Sequence, residues 1–288
     1  LTTHETSELF DVLRHLVDGG RSVVFISHKL KEVLEVSDRI TVLRHGLHKS
    51  TLPTEGTTIR ELALLMTGES EEIDVTHRRM EDRVALNVKG ITARNDRNLV
   101  ALHDVDLTVR AGEIVGLAGV SGNGQTELAE VLAGVRTSEL GFVQVDQKDA
   151  TNATAREMID NGVGHIPEDR IGMGLVSSAS VRDNAVLRHY RNEGFSTRIG
   201  LDRSAMWTFA EDLISIARVK TRSLSATCGE LSGGNQQRLI AHREAAVASR
   251  VMIASQPTRG LDVLAAHEVQ STLIRLRDAG CGILLISD

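Results

Sequence analysis

Two stretches of this chain, 260 residues apart, repeat one pattern without a gap: ELFDVLRHLVDGGRSVVFISH at 8–28 and EVQSTLIRLRDAGCGILLISD at 268–288. Glu8/Glu268, Leu13/Leu273, Leu16/Leu276, Asp18/Asp278, Gly20/Gly280, Ile26/Ile286 and Ser27/Ser287 are identical. Each copy reads as an amphipathic helix, a glycine stop and a short apolar strand ending at Ser. Any helix-Gly-strand unit of an α/β protein looks like this, so the pair alone fits either coincidence or duplication. An offset of 260 is the size of a domain, far longer than a solenoid repeat. Under duplication the chain holds the tail of one domain and most of a second.

Length and charge narrow the classes. A chain of 288 residues accommodates one or two domains with a real core. The 33 basic and 39 acidic residues leave a net charge of −6, with no global basic field, so nucleic acid is not expected as a partner. The longest apolar-plus-Gly run, Ile114 to Val120, is far below the ~18–20 residues that span a bilayer. Cys228 and Cys281 have no paired spacing and read as reduced thiols, and the His residues show no metal-ligand spacing. The opening LTTHETSELFDVL is polar, has no initiator Met and carries no secretory signal, as expected of a segment that starts within a longer protein.

Along the chain, ISHKLKEVLEVSDRITVLRHG reads as a helix and a strand, followed by a small helical stretch, IRELALLMTG. The charged run 69–83 has no apolar periodicity and reads as a linker. Alternating apolar residues from Val84 and again from Leu99 predict two strands feeding a third, Glu113–Gly119, which is apolar throughout and so is expected to be buried on both faces. The expected organisation is therefore 1–68, 69–83 and 84–288. The class is α/β, a mixed sheet core with a helical subdomain at about 176–240.

Gly119-Val120-Ser121-Gly122-Asn123-Gly124-Gln125-Thr126 follows that third strand and opens a predicted helix, Glu127–Ala133. The spacing is that of a phosphate-binding loop except at Gln125, where Lys is usual. Backbone N–H groups there would curl around phosphate oxygens at the positive helix end, and the Thr126 hydroxyl could ligate Mg²⁺. Gln125 brings an amide but no charge. A Gly-rich turn without a ligand is the alternative reading.

A second motif is more specific. Leu231-Ser232-Gly233-Gly234-Asn235-Gln236-Gln237 leads into a helix with Ser232 as a natural N-cap, a second anion-binding helix end. An apolar strand, Val251–Ala254, then runs into Ser255-Gln256-Pro257-Thr258-Arg259-Gly260-Leu261-Asp262.

In this order the three motifs resemble the nucleotide-binding domain of an ABC transporter, a P-loop ATPase. More narrowly, the chain is similar to the double-domain ATP-binding subunits of importers for simple sugars and nucleosides. The resemblance covers essentially the whole chain, with 1–68 like the end of a first domain and 84–288 like a second one cut just short. HIPEDR (165–170), GLVSSASVRDNAVL (174–187), GFSTRIGLDR (194–203) and QPTRGLDV (256–263) lean toward the nucleoside branch. The resemblance implies ATP and Mg²⁺ as cofactors and a cytoplasmic place on the inner face of the plasma membrane. It also implies transmembrane permease subunits as partners and an extracytoplasmic solute-binding protein as an indirect one.

Carried over residue by residue, the second domain departs from the active pattern. The acidic pair that holds Mg²⁺ and polarises water is Ser255-Gln256, the switch-histidine position is Asp288, and the glutamine-loop position is Glu168. No Phe, Tyr or Trp lies in 84–118 to stack on adenine. His28, by contrast, matches the switch-histidine position of the first domain, although a lone His after a strand is ordinarily a turn residue. ABC domains pair head to tail, so Leu231–Gln236 would cap the ATP of the other domain, and Asp262 would cross that interface. The expectation is one competent composite site that uses His28, and one degenerate site. Trp207 and Phe209 are expected in the core of the helical subdomain. The competing readings are a tandem ABC protein acting on ribosomes or DNA, against which the short linker and Ser255-Gln256 argue, and an inert pseudo-ATPase.

Overall fold

The computed structural model describes every residue except 1–2, 45, 69–81, 121, 192–193, 198–199 and 288. Most of the expected linker, together with Ser121 and Asp288, thus lies outside the described residues. Two compact units divide the chain: Leu1–Glu72 with Asp262–Leu264, and Ile73–Leu261 with Ala265–Asp288.

The first unit opens with α1 (Thr3–Asp18), which ends in a Schellman cap: Gly20 is left-handed (φ +77°), Arg21 N–H bonds Leu16 O and Gly20 N–H bonds Val17 O. The apolar residues that follow do not form the expected strand. Residues 21–27 carry no strand, with Val24 89% and Ile26 91% exposed. A strand needs a neighbour to satisfy its backbone, and none of the described residues pairs with this segment. Helix α2 (Leu30–Val36) precedes an antiparallel hairpin of β1 (Arg39–Arg44) and β2 (Leu47–Pro53), of which β2 was not expected. In α3 (Ile59–Thr67), the Thr58 hydroxyl caps Glu61 N–H and left-handed Gly68 stops the helix. Leu30, Ile40, Val42 and Leu62 form a small core.

The second unit begins with β3 (Val84–Arg94) and β4 (Val100–Arg110), the two expected strands, paired antiparallel. Strand β5 (Ile114–Ala118) leads through the Gly-rich loop into α4 (Gln125–Leu132), which starts two residues earlier than expected. Then come β6 (Leu140–Val145), β7 (Lys148–Asp149), α5 (Ala155–Asp160), β8 (Val163–Ile166) and α6 (Val181–Val186). A two-residue hairpin, β9 (Ser196–Thr197) and β10 (Gly200–Leu201), precedes α7 (Arg203–Ile216). Helix α8 (Gly233–Val247), β11 (Val251–Ser255), α9 (Val263–Asp278) and β12 (Gly282–Ser287) complete it.

Two sheets result. One is antiparallel in the order β4-β3-β6-β7, and the other is parallel in the order β5-β12-β11-β8. Side chains alternate across the parallel sheet, so successive residues of β11 feed different cores. Val251 and Ile253 join Leu86, Val88, Leu128, Leu132 and Met158 on one face, while Met252 and Ala254 join Ala210, Leu239, Ile240 and Leu273 on the other. Strand β5 corrects an expectation. It is an edge strand with β12 as its one neighbour, so Gly116 and Ala118 are exposed and the rest are partly buried. Trp207 corrects another: it is 37% exposed, with the Arg182 guanidinium over its ring at 5.9 Å. Phe209 does pack against the core, with His189 and Phe195 rings beside it.

Candidate functional site

The turn between β5 and α4 is built on Gly124. Its φ of +96° is left-handed, and a Cβ there would lie 2.7 Å from Ala101 O and 2.9 Å from Leu102 Cδ2, so only glycine fits. Past it, the first N–H groups of α4, at Gln125, Thr126 and Glu127, have no partner within the helix and carry its positive dipole end. Gln125 does not reach outward as the missing lysine would. Its amide folds back into the loop: Nε2 donates to Val120 O at 3.0 Å and Oε1 accepts Asn123 N–H at 3.0 Å. Asn123 Nδ2 donates to the same Val120 carbonyl, and a Cβ on Gly119 would meet the Gln125 amide nitrogen, which would have to move. One backbone donor of the expected anion nest is thus already satisfied.

Beside this loop a pocket of about 230 Å³ is walled by Thr126, Ala129 and Glu130 of α4, His165, the loop residues Pro167, Glu168, Asp169 and Met173, and Ser255 and Arg259. The parallel register brings the end of β11 next to the end of β8, with Ala254 opposite Ile166, which places Ser255 beside the Glu168 loop. Three expected residues, Thr126, Glu168 and Ser255, therefore meet. Ser255 is 4% exposed and its Oγ has no hydrogen-bond partner. Gln256 is in the left-handed region (φ +46°), its N–H bound to Ile286 O, and is not part of that wall.

Every carboxylate of the wall is engaged. Glu130 is bound by Arg136 at 2.7 Å, Asp169 accepts Ile171 and Gly172 N–H, and Glu168 is ion-paired with Arg259. His165 is buried, and desolvation pulls its imidazole down to about 4, so it is neutral near pH 7 despite Glu244 nearby.

The resemblance implies ATP and Mg²⁺, and the wall fits them unequally. The first-turn N–H groups of α4 and the unpartnered Ser255 hydroxyl suit phosphate oxygens. For Mg²⁺, which protein sites hold through one or two carboxylates, positions 126 and 255 offer two neutral hydroxyls, and the carboxylates of the wall are each already taken, Glu130 by Arg136, Asp169 by backbone N–H groups and Glu168 by Arg259. The donor set does not fit the ion, and Thr126 alone does not make a metal ligand set.

The second motif forms the start of α8. Ser232 is its N-cap, with Asn235 N–H on its Oγ at 3.5 Å and Asn235 Nδ2 at 2.8 Å. Asn235 Oδ1 in turn accepts Lys220 N–H, and the Arg170 guanidinium packs against Gly233. Leu231 and Gln236 are buried, Gln236 donating to Cys228 O at 3.2 Å, so the surface of this helix end is made by Ser232 and by partly exposed Gly233, Gly234 and Asn235.

Behind this end, α8 carries a buried ionic cluster. Glu244, 1% exposed, meets Arg243 at 2.9 Å and Arg188 at 3.2 Å and accepts His165 N–H at 3.1 Å. Arg243 also donates to Gly174 O at 2.8 Å. These bonds anchor β8 and the far end of the Glu168 loop to α8.

His28 stands exposed in the first unit, in the turn before α2, and Asp262 is exposed ahead of α9. Sequence reasoning passed over His165 and Arg259 as site residues. The signal for Arg259 was present, a lone cation in the glycine-ended turn after β11, but its target is 91 residues away in the chain.

Comparison with known proteins places the chain by family and fold. The chain is 43% identical to the glucose import ATP-binding protein of Haloferax volcanii, over all of this chain and 53% of that one. It is 40% identical to the guanosine import ATP-binding protein of Bacillus subtilis and 39% to a ribose import ATP-binding protein of Rubrobacter xylanophilus, covering 56% of each. The chain thus spans about half the length of these curated relatives. In fold it is similar to a nucleotide-free ATP-binding cassette from an ABC transporter, with a TM-score of 0.57 and 19% identity over 71% of this chain and 81% of that one. A dimeric ATP-binding cassette in a post-hydrolysis state, bound to ADP and Pi, gives 0.59 and 21% over 70% and 87%. The family model described as ABC transporter matches residues 102–259, a stretch that includes both the Gly-rich loop and the α8 motif, and the chain therefore belongs to the ABC transporter family.

Proposed function

We propose that this chain is part of the ATP-binding subunit of an importer for a small polar solute, a nucleoside or a simple sugar. It sits at the inner face of the membrane, where it drives transmembrane permease subunits supplied by a solute-binding protein. Relatives named for glucose, guanosine and ribose import support the class of solute. In this reading 1–68 is the end of one nucleotide-binding domain, 69–83 a linker and 84–288 a second domain.

The two domains pair head to tail. The helix end at Ser232–Asn235 caps ATP bound by the other domain, where His28 contacts the γ-phosphate and the attacking water. Bound Mg²⁺ there would neutralise charge on the β- and γ-phosphates. The pocket beside α4 hydrolyses slowly or not at all, because Ser255 and Gln256 cannot act as carboxylates and Gln125 is folded into its own loop. The observation that carries the proposal is this contrast within one unit: a partly exposed, glycine-lined helix end on α8, and a pocket in which Ser255 stands where a carboxylate would hold the metal and Gln125 is folded into its own loop.

The test is Mg-ATPase activity of the full-length protein with its permease, comparing wild type, His28→Ala and Gln256→Ala. Loss of turnover of about 100-fold or more in His28→Ala, with little change in Gln256→Ala, is expected. Equal activities for all three chains would overturn the assignment.

A further inference from the structure

We infer that the pocket beside α4 is a metal-independent phosphate site in which Arg259 supplies the positive charge, held by Glu168 until phosphate takes the carboxylate's place. This rests on the reading of the pocket as a nucleotide site and deepens it. Four observations converge. Thr126, in the first turn of α4 and so at its positive dipole end, lines the pocket. From the end of β11, Ser255 presents a buried Oγ with no partner. The two positions that would bring charge to such a site, 125 and 255, hold Gln and Ser, and the Gln125 amide is spent on Val120 and Asn123. Arg259 is the one cation in the described wall, and its guanidinium already grips an oxyanion, that of Glu168.

An ion pair between side chains 62% and 31% exposed is held weakly. A phosphate offers the same fork geometry with more charge, so it competes well for the guanidinium. With neutral His165 contributing no charge, Arg259 does by itself what a P-loop lysine and a metal ion share elsewhere.

The experiment is equilibrium titration of the full 288-residue chain with ATP, and with inorganic tripolyphosphate as competitor, in Mg²⁺ or in EDTA. Wild type is expected to bind within about twofold in the two buffers. Arg259→Ala should weaken binding about tenfold or more in both, with Arg259→Lys recovering part of the loss. Glu168→Gln should tighten binding about threefold by freeing the guanidinium, a direction that mere structural damage would not give. Ser255→Asp should make binding depend on Mg²⁺. Arg259 is exposed, and an unchanged melting temperature of its variants checks the fold.

A tenfold loss for wild type in EDTA, or unaltered binding by Arg259→Ala, overturns the inference while leaving the pocket a nucleotide site. Failure of ATP and tripolyphosphate to bind in either buffer overturns the nucleotide reading of the pocket as well. The ATPase comparison of His28 and Gln256 variants in the assembled transporter is read independently of both results.

Discussion

The two copies of the repeated pattern, 8–28 and 268–288, are built alike up to their glycines and differ completely after them. Both helices, α1 and α9, end in the same Schellman arrangement: Arg21 N–H to Leu16 O and Gly20 N–H to Val17 O in one, Cys281 N–H to Leu276 O and Gly280 N–H to Arg277 O in the other. Beyond the glycine, 282–287 becomes β12, flanked by β5 and β11, with Ile283 and Leu284 fully buried. The equivalent residues after Gly20 are mostly exposed and have no ladder among the described residues; Phe25 is half-buried, its ring edge-on to Phe10. A cap is a local contract of five or six residues, whereas a strand is a contract with neighbours elsewhere.

The largest effect that would break this comparison lies in its strands. Leu284→Ala should cost about 2–5 kcal/mol in chemical denaturation of the second unit, and Ile26→Ala within about 0.5 kcal/mol of nothing. Equal costs would show that 21–27 is packed as a strand in solution. Acid sharpens the contrast next. His165 is held neutral down to about 4 in the folded chain, below its ordinary 6.5, so on acidification the unfolded chain takes up a proton that the folded one refuses. Stability is full above about pH 6.5 and falls by up to ~3 kcal/mol as the pH approaches 4. His165→Asn should flatten that limb of the pH profile, and an unaltered profile would place the acid sensitivity elsewhere. The smallest effect tests what the copies share. Gly20→Ala and Gly280→Ala should each cost about 1 kcal/mol, measured as increased amide exchange of the last turn of α1 or α9, because each glycine is left-handed. A cost at one position alone would mean that the caps are not equivalent.

The same division between local and distant explains what could be read from the residues alone. The Gly119–Thr126 turn, the Ser232 cap and the apolar β11 are encoded within a few positions, and each forms where its residues predict it. The exposed flank of β5, the absence of a strand at 21–27 and the exposure of Trp207 depend on which segments lie alongside, information that no short window contains. The pocket stood between these extremes. Thr126, Glu168 and Ser255 were each singled out, and the register of β8 on β11 brings them together. Arg259 escaped because its partner is set by the fold, and Gln125 was expected to face a ligand when its amide closes on the backbone of its own loop.

Helix α8 ties two distant parts of the second unit to one element. It is 15 residues long, about 22 Å, with Ser232 at one end and the Arg243–Glu244 pair near the other. At the far end Glu244 holds His165 and Arg243 holds Gly174, which brackets the segment carrying Glu168 between two bonds to the same rod. One helix thus carries the glycine-lined tip at one end and, near the other, the bonds that fix both ends of the segment bearing Glu168.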